Sequence, residues 1–167
     1  MIDLKTEEEI KIMVEGGKKL KRVVNILIKE IREGITTEEI DKKAEKLIKE
    51  QGGEPSFKTV KNYYWSTCLP INEQVVHTPP SKRILKEGDV LTLDIGMYFE
   101  GYHTDYATTF VVGNTVNKKI DFFLKIGKKA LYKAIKKVKP GQRLGKISET
   151  IQDEIEKNGF FVYKPGL

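Results

Sequence analysis

Slid 107 positions along itself, the chain sets Gly34 on Gly141, Ile40 on Ile147, Ile48 on Ile155 and Gly52 on Gly159, with Ala44 falling on the apolar Ile151. Amphipathic helices resemble one another, so four identities in register are weak by themselves. The order of elements adds weight: a long helix, a glycine turn, a short helix, a second glycine and the start of a strand occur twice. A repeated unit of this kind cannot bury its apolar face alone and needs its copy. The chain is therefore constrained to two related halves of mixed helix and strand. The first half spans about residues 1–113 and the second, shorter one about residues 114–167. Either the second copy is naturally abbreviated or the chain stops within it.

The helix boundaries are well marked. Thr6 and Glu9 form a capping-box pair, and Ile10, Met13, Leu20, Val23, Val24, Leu27 and Ile31 then keep to one face before Gly34. Thr36 and Glu39 repeat that signal ahead of Ile40, Ala44, Leu47 and Ile48, and Gly52-Gly53 closes the second helix. Strands are expected over residues 57–60, over 67–71 with Pro70 marking an edge, and over 75–77 before Pro79-Pro80. Residues 90–97 and 102–112 read as a hairpin closed around Phe99-Glu100-Gly101. A third helix covers residues 117–138, a fourth runs through Ile147, Ile151 and Ile155, and residues 160–163 begin a strand.

Composition excludes several classes. With 167 residues and 39% hydrophobic against 32% charged, the chain is of ordinary globular make-up and long enough for a real core. No apolar run approaches the ~18 residues of a membrane span. The N-terminus lacks the basic-then-apolar layout of a secretory signal. One cysteine permits no internal disulfide and no Cys-rich zinc site. With two histidines, His77 and His103, any metal site built from this chain alone must be rich in carboxylates. A cytoplasmic protein without membrane partners is expected. The net charge of +6 is unevenly placed, since residues 101–167 hold 13 basic and 6 acidic side chains. Two readings of the lysine run from Lys118 to Lys139 stand: the solvated face of one helix, or a patch facing RNA or the ribosome without sequence specificity.

The chemistry concentrates in residues 90–105. Alternation puts Leu91, Leu93, Ile95 and Met97 on one face of the strand and Thr92, Asp94 and Gly96 on the other. A hairpin turning at Phe99-Glu100 sets Asp94 directly opposite Asp105. Cross-strand partners have Cβ atoms about 4.5–5.5 Å apart, and like charges there are destabilising. Such a pair needs a shared proton or a cation, and the cation is the better explanation, because two carboxylates can bridge two divalent ions about 3.5–4 Å apart. His103 shares that face by alternation and is either a support for Asp105 or a plain surface histidine.

At these residues the chain resembles the methionine aminopeptidases, particularly the type I group. Three patches carry the likeness: residues 68–77, from Cys68 through Asn72 to His77; Leu85-Lys86-Glu87-Gly88-Asp89-Val90 leading to Asp94; and Gly101-Tyr102-His103-Thr104-Asp105. The family also places two aspartates eleven residues apart on a hairpin, as Asp94 and Asp105 are. The loop after the histidine, His77-Thr78-Pro79-Pro80, departs from the family's usual His-Gly-x-Pro, and Pro70 stands where serine is usual.

What the resemblance implies is concrete. The fold would be the α+β pita-bread fold, pseudo-two-fold and here truncated in its second half. The complete enzyme would remove the initiator methionine from nascent polypeptide N-termini, with two divalent ions (Co, Mn, Fe or Zn) activating a bridging hydroxide. Asp94 and Asp105 would be metal ligands and His77 the catalytic and substrate-binding histidine, while Cys68 and Tyr63 would line the methionine pocket. The family's remaining ligands, two glutamates and a histidine in a Gly-His-Gly segment, are not present in these 167 residues, which alone are expected to be inactive. The alternatives are an Xaa-Pro-type metallopeptidase, for which the first helix leaves no room for the usual N-terminal domain, and a non-catalytic pita-bread protein binding RNA or the ribosome.

Overall fold

A computed structural model describes residues 4–163 of the chain. Two compact units divide it, Met1–Thr115 and Val116–Leu167. In the first, helix α1 spans Glu7–Glu30 and helix α2 spans Thr37–Glu50. Both open on the expected capping box. The Thr6 hydroxyl accepts from the Glu9 amide while the Glu9 carboxylate accepts from the Thr6 amide, and Thr36 and Glu39 do the same. Glu7, Glu8 and Glu9 in the first turn of α1 also suit its positive dipole end.

Four strands form one antiparallel sheet: β1 (Glu54–Pro55), β2 (Thr67–Cys68), β3 (Val90–Phe99) and β4 (Tyr102–Val111). β3 is central, with β4 along one side and β1 and β2 along the other. Alternation along β3 decides what each face does. Leu91, Leu93, Ile95 and Met97 are fully buried in one cluster with Leu20, Val23, Val24 and Leu27 of α1 and Ile40, Ala44 and Ile48 of α2. Each of these Leu, Ile, Val and Met side chains contributes roughly 1.5–3 kcal/mol of burial. The same alternation turns Thr92, Asp94 and Gly96 to the opposite face.

The hairpin register differs from the sequence expectation. Asp94 pairs with Ala107, and Asp105 pairs with Gly96, so the two aspartates are diagonal neighbours rather than direct partners. The reason is the turn. Glu100 and Gly101 both have positive φ (47° and 90°), which makes a two-residue loop of the type that matches strand twist. Closing the loop there moves the register by two, and a shift of two keeps both carboxylates on one face.

Two strands expected in the first unit are absent. Residues 57–60 fall largely in a 3₁₀ turn, Ser56–Thr59, which the Thr59 hydroxyl closes by donating to the Ser56 carbonyl at 2.7 Å. Residues 75–77 cannot extend because Val76 and His77 are left-handed (φ 25° and 47°). Of residues 67–71 only Thr67–Cys68 forms a strand, with Ile71 bridged singly to Leu91.

The second unit holds helices α3 (Lys118–Ile135) and α4 (Leu144–Glu156). Residues 160–163 form no strand, and residues 164–167 lie outside the described part. The internal repeat is visible in local geometry. Gly34 and Gly141 are both left-handed (φ 87° and 77°), as are Gly52 and Gly159 (76° and 81°), and α4 begins 107 residues after α2. Part of the lysine run is not free surface. Lys129, Lys133 and Lys157 converge on Glu154, which is 1% exposed, and the Lys133 ammonium foremost holds its carboxyl down to about 2.

The copies differ at one cap. Arg143 stands where the first half has Thr36 and makes no side-chain hydrogen bond to its helix. Arg143→Thr is expected to stabilise the second unit by about 0.5–2 kcal/mol, read as a rise in the urea midpoint at unchanged slope. An unchanged midpoint would show that α4 needs no cap.

Candidate functional site

The residues that carry chemistry come from three segments, and the sheet explains their meeting. Cys68 of β2 pairs directly with Asp94 of β3, and one step along the adjacent ladder Gly96 pairs with Asp105 of β4. Directly paired residues share a face, so Cys68, Asp94 and Asp105 all project to the side opposite the helices. Together with Tyr63 and His77 they line one cavity of about 590 Å³, and Phe57 and Trp65 complete its aromatic wall. Every site residue expected from the sequence is thus brought together. A wider depression along α1 is lined by Ile10, Met13 and Val14 and touches the hairpin at His103, Thr104 and Asp105.

The carboxylates are uncompensated. Among the described residues neither Asp94 nor Asp105 accepts a hydrogen bond or forms an ion pair. A diagonal on an antiparallel ladder spans about 7–8 Å, close enough for two carboxylates to share a cation or to repel without one. Burial, and then the nearby charge of Asp105, pushes the Asp94 carboxyl up to about 6, with His77 pulling the other way. Desolvation lifts Asp105 as well. Two oxygen donors on one cavity, Asp94 half-buried and Asp105 exposed, fit hard or borderline divalent cations, which remove the penalty on the Asp94 charge. Among the described residues no group of three or more His, Cys, Asp or Glu side chains is placed to hold a metal, so the pair supplies part of a ligand set.

The lining beside the carboxylates is built for an apolar guest. The Tyr63 hydroxyl donates to the Thr67 carbonyl at 2.8 Å and lies 3.1 Å from the Cys68 sulfur. Burial raises both groups, so thiol and phenol stay neutral. The Tyr63 ring meets Phe57 and Trp65 edge-on, with centroids 6.3 and 5.4 Å apart. Tyr64, by contrast, is 71% exposed. His77 arrives on the loop after β2, at a backbone angle that costs a non-glycine residue about 1–3 kcal/mol and marks functional loops. His103 does not support Asp105. Its Nδ1 lies 2.7 Å from the Ser56 hydroxyl, and its ring rests on Tyr98.

Three contributors escaped sequence reasoning. Phe57 and Trp65 were legible only as aromatics among aromatics. Asp41 looked like one more charge on an amphipathic helix, yet it is 6% exposed and holds the segment leading into Cys68.

Comparison with known proteins agrees with this geometry. Residues 11–167 match the family model described as metallopeptidase family M24. The methionine aminopeptidase 1 of Bacillus subtilis is 42% identical over 166 residues, covering 98% of this chain and 66% of the relative. The methionine aminopeptidase of Clostridium perfringens is 40% identical over 164 residues, with the same coverage. Among solved structures, methionine aminopeptidase from Thermotoga maritima superposes with a TM-score of 0.93 at 35% identity, covering 99% of this chain and 66% of that one. Prolidase from Pyrococcus furiosus does so at 0.83 and 26% identity, over 93% of this chain and 44% of that one. The chain spans about two thirds of the length of its curated relatives. The fold is the α+β pita-bread class shared by these neighbours. By the match over residues 11–167 and the agreement of fold, the chain belongs to metallopeptidase family M24.

Proposed function

We propose that this chain carries the substrate-side part of a metal-dependent aminopeptidase that removes the first methionine from nascent polypeptides. One observation carries the reading: two uncompensated carboxylates, a histidine and an apolar aromatic-and-thiol wall face a single cavity of about 590 Å³. The names of the relatives support the same substrate.

Asp94 and Asp105 would hold the cations, and bound divalent ions supply an activated water and polarise the scissile carbonyl. The chain's own residues do the rest. Tyr63, Cys68 and Trp65 take the unbranched side chain out of water, so a short polar first residue gains little. The neutral Cys68 thiol adds a polarizable contact suited to a thioether. His77 stands beside the carboxylates, where an imidazole N–H can donate to the carbonyl oxygen as charge develops on it.

The test is release of free methionine from a Met-Ala-Ser peptide by the full-length protein, with manganese, cobalt or iron added. Turnover abolished by a chelator is expected, and His77→Ala should lower kcat by about 10²–10³-fold, the usual loss for one such donor. The 167 residues alone are expected to release none, since two carboxylates are too few ligands. No metal-dependent release by the full-length protein would overturn the function.

A further inference from the structure

β2 is too short to position anything by itself. It contributes two residues to the sheet, Thr67 opposite Ile95 and Cys68 opposite Asp94, yet both the Cys68 thiol and the Thr67 carbonyl that receives the Tyr63 hydroxyl depend on it. What the ladder lacks in length comes from α2. One oxygen of Asp41, Oδ1, accepts from the Ser66 amide at 2.8 Å, the Thr67 amide at 2.9 Å and the Thr67 hydroxyl at 2.7 Å. Asp41, Ser66 and Thr67 are all buried, at 6%, 0% and 0% exposed.

A carboxylate in that position is a poor choice for stability alone. Among the described residues it forms no ion pair, and a buried charge costs more than an apolar side chain of similar volume. Three donors converging on one oxygen do, however, fix the position and direction of two successive peptide groups, which a leucine could not. The direction matters because the Thr67 carbonyl then aims at Tyr63, and Cys68 follows at the next position. The chain of contacts runs from Asp41 through Thr67 to Tyr63 and Cys68, the two residues on the apolar side of the cavity.

We propose that Asp41 is the positioning residue for the side-chain pocket, fixing Thr67 so that Tyr63 and Cys68 select a long unbranched first residue. Asp41 touches no substrate and acts only through these two groups. The selectivity part of this rests on the aminopeptidase reading, and the positioning part does not.

Two measurements separate them. In the chain itself, Cys68 is the sole cysteine and 4% exposed, so its alkylation by iodoacetamide reports local opening of β2. Asp41→Ala should speed alkylation at least about tenfold, as expected for losing three buried hydrogen bonds. Asp41→Asn keeps a carbonyl oxygen for the same donors and should stay within about threefold of the parent. Thr67→Val, which deletes one donor and is mild enough to fold, should fall between them. In the full-length metal-loaded enzyme, the preference for Met-Ala-Ser over Leu-Ala-Ser should drop about tenfold in Asp41→Ala, mainly through KM for the methionine peptide, and return in Asp41→Asn.

Alkylation at the parent rate in both Asp41→Ala and Thr67→Val would overturn the positioning role. Should Asp41→Ala fail to fold, Thr67→Val against Asp41→Asn decides it. Faster alkylation with an unchanged methionine-to-leucine ratio would overturn the selectivity role. Failure of the parent enzyme to release methionine would bring down the proposed function, and with it selectivity, while the alkylation result still decides what Asp41 holds.

Discussion

Asp94→Asn is expected to raise the melting temperature of the metal-free protein at pH 7.5 while removing its response to divalent ions. The carboxyl titrates near 6 in the folded chain against an ordinary 3.8, because burial and Asp105 both oppose its charge. The folded state therefore holds a proton that the unfolded chain has released. Between those two values the folded chain binds more protons, so this group's contribution to stability falls as pH rises from about 4 to about 6. Above that range the ionised carboxylate weighs against folding in full. A shift of this size corresponds to at most about 3 kcal/mol. Solvent access to a half-buried group cuts it to about 1 kcal/mol. Asparagine removes the charge at nearly the same volume, for a gain of about 2–4 °C. At pH 4, where the parent carboxyl is largely protonated, the difference should shrink.

Metal reverses the order. A divalent ion neutralises both aspartates, so manganese should raise the parent's melting temperature and leave Asp94→Asn unmoved. In the full-length enzyme the same variant should lose more than the 10–100-fold typical when only a partner supporting a ligand is removed. Calorimetry with and without manganese at the two pH values checks the pattern. A variant no more stable than its parent at pH 7.5 would show that Asp94 bears no electrostatic strain, and an unchanged manganese response would remove it from the ligand set.

How far the sequence could lead is clear from particular residues. Both first-unit helices were readable because a Thr–x–x–Glu box is a local signal whose partners are three residues apart. The face carrying Asp94 was readable because alternation along β3 depends only on period. The register was not. It hangs on Glu100 adopting a left-handed conformation that a glutamate seldom takes, and no local pattern announces that. Having the parity right nevertheless preserved the shared face of the two aspartates. The 3₁₀ turn at Ser56–Thr59 and the bent loop at His77 were missed because side-chain hydrogen bonds and tertiary packing overrode β-propensity. Asp41 was invisible for a stronger reason: its partners lie 25 and 26 residues away.

Gly96→Ala is expected to destabilise the first unit strongly for a change of a single methyl. Glycine inside a strand normally weakens it, so its presence mid-way along β3 calls for a cause. That cause is a crossing. After β1 the chain passes over β3 at this point, and the Ser56 hydroxyl reaches beyond it to His103 on β4 at 2.7 Å. A Cβ on residue 96 would lie 2.7 Å from the Ser56 Cβ and 2.9 Å from the Phe57 ring. Neither neighbour has a free direction to yield, since Pro55 is paired to Met97 and the Phe57 ring abuts Tyr63. Overpacking and loss of the His103 hydrogen bond together should cost about 2–4 kcal/mol, or roughly 6–12 °C. Because Phe57 walls the cavity, the variant should also bind apolar first residues less well. The cause can be isolated by a second substitution. Ser56→Gly removes one of the two clashing carbons, so the double variant should be about 1 kcal/mol more stable than the sum of the single changes predicts. Additivity of the two, measured from thermal melts, would place the damage in β3 itself rather than at the crossing.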